Sequence, residues 1–215
     1  MKLTPALLPH LIEAIADVIE NNAEEVTALD QAIGDGDHVI NLQRGIQALI
    51  VQGAELSQLD WVAAWQKIGM TLMSTIGGAS GSLYGTLFIA LSKAAREQSL
   101  DLQSFADVFT KGVAAVKQRG KAEAGEKTML DVYIPVADYL RTAAADSVAL
   151  PEILANVSQV AIAGMESTRD MVATKGRASF LEERSRGHID AGAKTAQLMI
   201  CTIVDVLARQ SATPA

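Results

Sequence analysis

Aliphatic residues recur at helical spacing along most of the chain, and no alternation of apolar and polar residues runs longer than four positions. A half-buried strand needs such alternation, whereas a helix packed on one face needs apolar residues at i, i+3, i+4 and i+7. Leu8, Leu11, Ile12, Ile15, Val18 and Ile19 follow the helical rule. So do Val39, Leu42, Ile46, Leu49 and Ile50, and later Leu102, Phe105, Val108, Phe109, Val113 and Val116. The hydrophobic fraction is 49% but aromatics are only 4%, so the core must be built from Ala, Leu, Val, Ile and Met. That stock favours packed helices over sheets. The pattern predicts an all-α chain.

Punctuation between the periodic stretches sets the expected boundaries. Thr4-Pro5 reads as cap and first helical position, opening a helix to about Leu29. A second helix starts near Asp37 or His38. Ser57 to Asp60 reads as a helix-start box before Trp61, Trp65, Ile68, Leu72 and Met73. The glycine-rich run 76–85 stops that helix, and the next covers roughly Leu83 to Ala95. Asp101 starts another, which Gly120 ends. Thr128 and Asp131 form a further box, with a helix through Tyr139 in which Pro135 predicts a kink or break. Pro151 opens a helix to about Met171. Residues 174–192 show no apolar period and read as a long functional or disordered loop. A last helix spans about Ala193 to Ala208, and the tail from Gln210 is expected to fray. That makes about eight helices in one domain over residues 1–215, with no repeat and no dividing linker.

Several classes of function are disfavoured. A net charge of −7 argues against a general nucleic-acid binder. The single cysteine, Cys201, allows no disulfide within the chain and reads as a core thiol on a helix. No stretch is expected to be long and apolar enough to cross a bilayer, and the N-terminus does not read as a signal peptide, so the cytoplasm is the expected location.

The chemistry concentrates in four irregular segments. Asp30, Asp35 and Asp37 lie within eight positions, separated by Gly34 and Gly36. Glycines let such a loop bend so that its carboxylates converge, and oxygen-only ligands suit a hard cation such as magnesium or calcium. The competing reading is a set of helix-capping acids. The spacing is not that of an EF-hand loop. His38 and Asn41 share one face of the next helix; they either reach a phosphate or a metal-bound water, or serve as cap and solvated amide. The GGASG run at 77–81 either lets backbone N–H groups approach an anion or forms a plain turn, and it lacks the lysine of a Walker loop. Arg177 is either a phosphate partner or a solvated side chain. Helices running up and down place 30–38, 76–82, 120–129 and 174–192 at one end.

The stretches LDQAIGDGDHVINLQRG, GMTLMSTIGGASGSLYGT, RGKAEAGEKTMLDV and KGRASFLEERSRGHIDAGA, in this order over residues 29–193, together resemble the nucleotide-binding L subunit of dihydroxyacetone kinase. The resemblance implies a barrel of eight antiparallel helices with a nucleotide, ADP or ATP, at one rim. It implies two magnesium ions on Asp30, Asp35 and Asp37. It implies nucleotide contacts at His38, Val39, Ile40 and Asn41, at Ala79 and Ser80, at Gly120, Met129 and Arg177, and at Asp190, Ala191 and Gly192. Two positions depart from the family pattern: Ser82 and Ala191 stand where relatives often have proline. The second lies in the implied nucleotide lid and removes no ligand.

The resemblance further implies that the acceptor ketose, dihydroxyacetone or a related short sugar, sits on a separate K subunit, and that this chain is half of an enzyme, a phosphotransferase. Some relatives exchange ATP; others keep ADP and recharge it from a phosphotransferase-system protein. A different class of function also stays open, an ADP-holding regulatory module that docks a transcription regulator.

Overall fold

The computed structural model describes residues 4–96 and 101–212. A 3-10 turn, Pro5–Leu7, leads into α1 (Leu8–Asn21). There follow α2 (Ala23–Ile33), α3 (His38–Val51), the short α4 (Gly53–Leu56), α5 (Trp61–Thr75), α6 (Gly78–Ala94), α7 (Leu102–Gly120), α8 (Leu130–Ala145), α9 (Leu150–Ser167) and α10 (Ala191–Ala212). There is no strand among the described residues.

The packing order closes on itself. α1 lies against α3, α3 against α5, and α5 through α10 each against the next, until α10 returns to α1. With α1 and α2 taken as one broken helix and the short α4 as a connector, eight helices among the described residues form the staves of a barrel, as expected. Each stave turns an apolar stripe inward, and Ile19, Val26, Leu56, Val108, Val132, Ala161 and Ala196 are shut off from solvent. Full burial of one such aliphatic side chain contributes about 1.5–3 kcal/mol.

Several boundaries differ from the sequence expectation. The first helix breaks at Asn22, where the backbone turns to φ −111°, ψ 9° and the side-chain amide donates to the Val18 carbonyl at 2.7 Å. The apolar period runs on through Val26, so the break leaves no trace in the pattern. Asp60, not Ser57, caps α5, accepting from the Ala63 N–H at 2.8 Å, while the Ser57 hydroxyl donates back to Ala54. Asp101 opens α7 as expected, in a reciprocal box with Ser104. The Thr128–Asp131 box also forms: Asp131 accepts from the Thr128 N–H at 2.7 Å, and Thr128 Oγ1 from the Leu130 N–H at 3.1 Å. α6 begins at Gly78 rather than near Leu83, so Ala79 and Ser80 lie in a helical first turn.

The region 174–192 is not a structureless loop. It holds a 3-10 segment, Arg177–Ser185, bent at Glu182 (φ 49°). Ala173 and Ala178 pack on Ile33 of α2 with Leu181 beside them, and Ser185 Oγ accepts from the Ala173 N–H at 2.9 Å. α10 continues to Ala212, so the first residues of the expected frayed tail are helical; 213–215 lie outside the described residues. Ala191–Ser211 is long and apolar enough to cross a membrane by length and composition, with mean hydropathy 1.3, contrary to expectation. Here it is a core stave: Ala193, Thr195 and Ala196 are fully buried, and the helix packs on α9 and α1. Cys201, on the same helix, is only partly buried.

Pro135 does not break α8, which is continuous from Leu130 to Ala145. Proline at 135 leaves the Asp131 carbonyl without its i+4 donor. α9 approaches that same carbonyl through Gly164, where an added Cβ would stand 2.3 Å from the oxygen. Glycine-to-alanine changes inside helices ordinarily stabilise by about 0.5–1 kcal/mol. Gly164→Ala is expected to do the opposite and lower the urea midpoint, because the obstacle is backbone. An unchanged or raised midpoint would contradict this packing of α9 on α8.

Candidate functional site

The three aspartates converge. Asp30 comes from the last turn of α2, Asp35 and Asp37 from the loop before α3, and one oxygen from each lies within 4.8 Å of the others. Gly34 makes this possible, since a Cβ there would fall 2.1 Å from Asp30 Oδ1. Asp30 Oδ2 accepts from the His38 N–H at 3.1 Å, which ties the triad to the start of α3. Asp35 Oδ2 meets Arg177 Nε at 3.0 Å. The donor set fits a hard cation: all ligands are oxygens, and a cation central to a triangle of that size lies within about 2.8 Å of each, under 1 Å from magnesium bonding distance.

Around the triad stand three helix starts. His38 is the first residue of α3; its Nδ1 lies 3.3 Å from Ser80 Oγ in the first turn of α6, and its Nε2 lies 2.9 Å from Thr195 Oγ1 in α10. Burial lowers the His38 pKa, against the raising effect of Asp30, Asp37 and Asp35. Gly77 precedes α6 and lends no side-chain cap, so the first N–H groups of that helix have no side-chain acceptor. Such groups, with the helix dipole behind them, suit an anion.

The four irregular segments meet at one end, as the helix count implied. Besides the Asp35–Arg177 pair and the His38–Ser80 contact, Arg119 Nε donates to Ser82 Oγ at 2.6 Å, and Thr174 donates to Glu126 at 2.8 Å. Asn41 is buried rather than solvated and stands against Gly77. Val39, Met129 and Ala191 turn their side chains into the core, so a ligand meets them through backbone or not at all. Ile40 is 62% exposed. Gly192 lies beside Met129 and Asp190. Gly120 ends α7 against Leu83. The sequence does not single out Lys127, Tyr84, Thr168 and Thr195, all buried, because each has a polar partner more than twenty positions away.

The DAK2 domain model matches residues 32–205. The chain belongs to the DAK2-domain family. Among its relatives, the ADP-binding subunit DhaL of the PEP-dependent dihydroxyacetone kinase of Escherichia coli is 38% identical over 93% of this chain and 96% of its own length. The corresponding subunit of kinase 1 from Listeria innocua is 41% identical over 84% of this chain and 86% of its own. In fold, this DAK2 chain is similar to part of the dihydroxyacetone kinase of C. freundii solved with AMP-PNP and Mg2+, with TM-score 0.72 and 22% identity; the match covers 96% of this chain and 35% of that one.

One corner of the DAK2 site is held by a buried ammonium. Lys127, 1% exposed, donates to the carbonyls of Thr168 and His188, so it clasps the end of α9 to the segment before α10. Burial lowers its pKa, opposed by Asp190, Asp131 and Asp170. Asp190 Oδ2 caps α10 through the Ala193 N–H at 2.7 Å. Burial pushes the Asp190 carboxyl up to about 6, although the Ala193 N–H and Lys127 both work to lower it. An acid raised above its unfolded value of about 3.9 favours the folded state at low pH, and that contribution is lost as pH rises from about 4 to 6. Two units correspond to about 3 kcal/mol. Asp190→Asn keeps an acceptor for the cap. Urea stability of the wild type relative to this variant is expected to fall by about that amount between pH 4 and 6.5; parallel curves would contradict the assignment.

Proposed function

We propose that this chain is the ADP-binding subunit of a PEP-dependent dihydroxyacetone kinase, working as one L-type domain over residues 1–215. It would hold ADP and two Mg2+ ions at the rim formed by Asp30, Asp35 and Asp37. The observation that carries this reading is the convergence of three carboxylates beside the uncapped start of α6, in a chain that aligns with such subunits along nearly their whole length.

Phosphoryl transfer depends mainly on positioning and charge neutralisation. Bound magnesium supplies positive charge that lets carboxylates and phosphates share one space. The chain does the rest. Asp30, Asp35 and Asp37 provide the oxygens. The uncapped first turn of α6, where Ala79 is exposed and Ser80 follows, would take phosphate, and His38–Asn41 and Asp190–Gly192 would line the nucleotide beside it. Arg177 brings the cation nearest the triad, and its guanidinium suits phosphate oxygens. Gly120 and Met129 would border the rest of the nucleotide.

The acceptor ketose is assigned to a separate K-type subunit, and recharging of ADP to a phosphotransferase-system donor chain. Two exposed apolar side chains suit a docking role for the rim: Ile40, in the first turn of α3, and Phe180, in the segment of Arg177, are 62% and 81% exposed. In-line transfer needs an acceptor oxygen about 3 Å from phosphorus. An open rim does not hold a small diffusing sugar to that tolerance, whereas a partner closing over it does and also excludes water.

The test is triose phosphate formation by the chain alone and with a K-type subunit, each with ATP and, separately, with the phosphotransferase donor. Turnover is expected only with the K-type subunit and the phosphotransferase donor together. Robust turnover by the isolated chain, or none in any combination, would overturn the proposal.

A further inference from the structure

Thr195 sits one turn into α10, and no solvent reaches it. Its hydroxyl has partners on three helices. His38 Nε2 on α3 is 2.9 Å away and the Tyr84 hydroxyl on α6 is 3.4 Å away. The Ala191 and Gly192 carbonyls, in the first turn of its own helix, are at 3.2 and 3.1 Å. Through the imidazole the chain of contacts reaches Ser80 Oγ, 3.3 Å from His38 Nδ1. Both ring nitrogens of His38 are therefore engaged by hydroxyls, one deep in the barrel and one at the rim.

We propose that Thr195 is a positioning residue for the nucleotide site: its hydroxyl clamps the His38 ring so that Nδ1 meets Ser80, and so holds the first turns of α3, α6 and α10 in one register. The inference rests on the nucleotide reading above. The physical need is plain. The uncapped start of α6 must face an anion while the starts of α3 and α10 stay fixed beside it, yet packed helices joined only by apolar contacts are free to shift against one another by small amounts. A buried hydroxyl with directional bonds to all three removes that freedom, because any slide leaves a polar group unpaired in a dry interior. The imidazole is fixed in the same stroke, since the partner of one ring nitrogen sets what the other presents.

The three histidines make the test internal. His10 and His188 are exposed and serve as references for His38. At pH 8 a free imidazole is neutral and averages between tautomers. In 15N-detected ring spectra of the full chain, His38 is expected in one tautomer while His10 and His188 show averaged shifts. Thr195→Val removes the hydroxyl at similar volume and Thr195→Ala removes it without crowding; whichever variant keeps its helical circular dichroism is expected to release the His38 tautomer and to weaken ADP binding in the presence of Mg2+ about tenfold. Thr195→Ser is expected to restore both. An averaged His38 ring in the wild type would overturn the clamp even if neither variant folds. A folded hydroxyl-free variant with an unchanged His38 spectrum or unchanged ADP affinity would overturn it equally. If the wild type bound no ADP with Mg2+, the nucleotide reading would fail while the ring spectra still decided whether the clamp exists.

Discussion

Like charges placed together govern this molecule. Two carboxylates at about 4 Å repel by roughly 1 kcal/mol in bulk water and about 4 kcal/mol at an effective dielectric of 20. The chain brings three into that range, and among the described residues Arg177 is the one cation paired with any of them. A fold under no functional demand would let the loop relax outward. Here Gly34 permits the turn, the His38 N–H ties Asp30 inward, and α2 with α3 fix both ends. The barrel is the frame that holds this arrangement, and its closed ring gives each loop at the rim two rigid helices to hang from.

The same end of the barrel collects other polar groups that stay apart from water. Lys127, Thr168 and Thr195 are buried below the rim and Asp190 is partly buried there, each with a polar partner on another segment. Such groups are costly unless every bond is made, so they specify a single arrangement of α3, α6, α9 and α10. The aspartates above them are half exposed or exposed, where a ligand can reach them. Rigid polar contacts beneath and reachable charge on top suit a site that must position phosphates accurately.

Much of this was legible in the residues. The helical period of the first nineteen residues, and of 102–116, is strong because each stave buries one stripe. The triad was legible because three aspartates within eight positions, set apart by glycines, are more than a helix cap needs. The rest was hidden for identifiable reasons. Asn22 breaks a helix without disturbing its apolar stripe, so pattern alone joins α1 to α2. Gly78 looks like loop, yet it starts α6. Pro135 looks like a break, but Gly164 leaves room for the carbonyl it frees. The middle of α10, LMICTIV, shows no single apolar stripe because the helix faces α9, α1, α2 and α8. Lys127 and Thr195 are single letters whose meaning comes from partners such as His188 and His38, 61 and 157 positions away.

In the proposed site, the triad and the uncapped start of α6 hold nucleotide through a shared hard cation. Titration calorimetry of ADP into the chain, first with Mg2+ and then with EDTA, tests it most directly. Clear binding is expected with Mg2+, and a loss of at least tenfold in affinity, about 1.4 kcal/mol, when the metal is removed. Undiminished affinity in EDTA would contradict the shared cation.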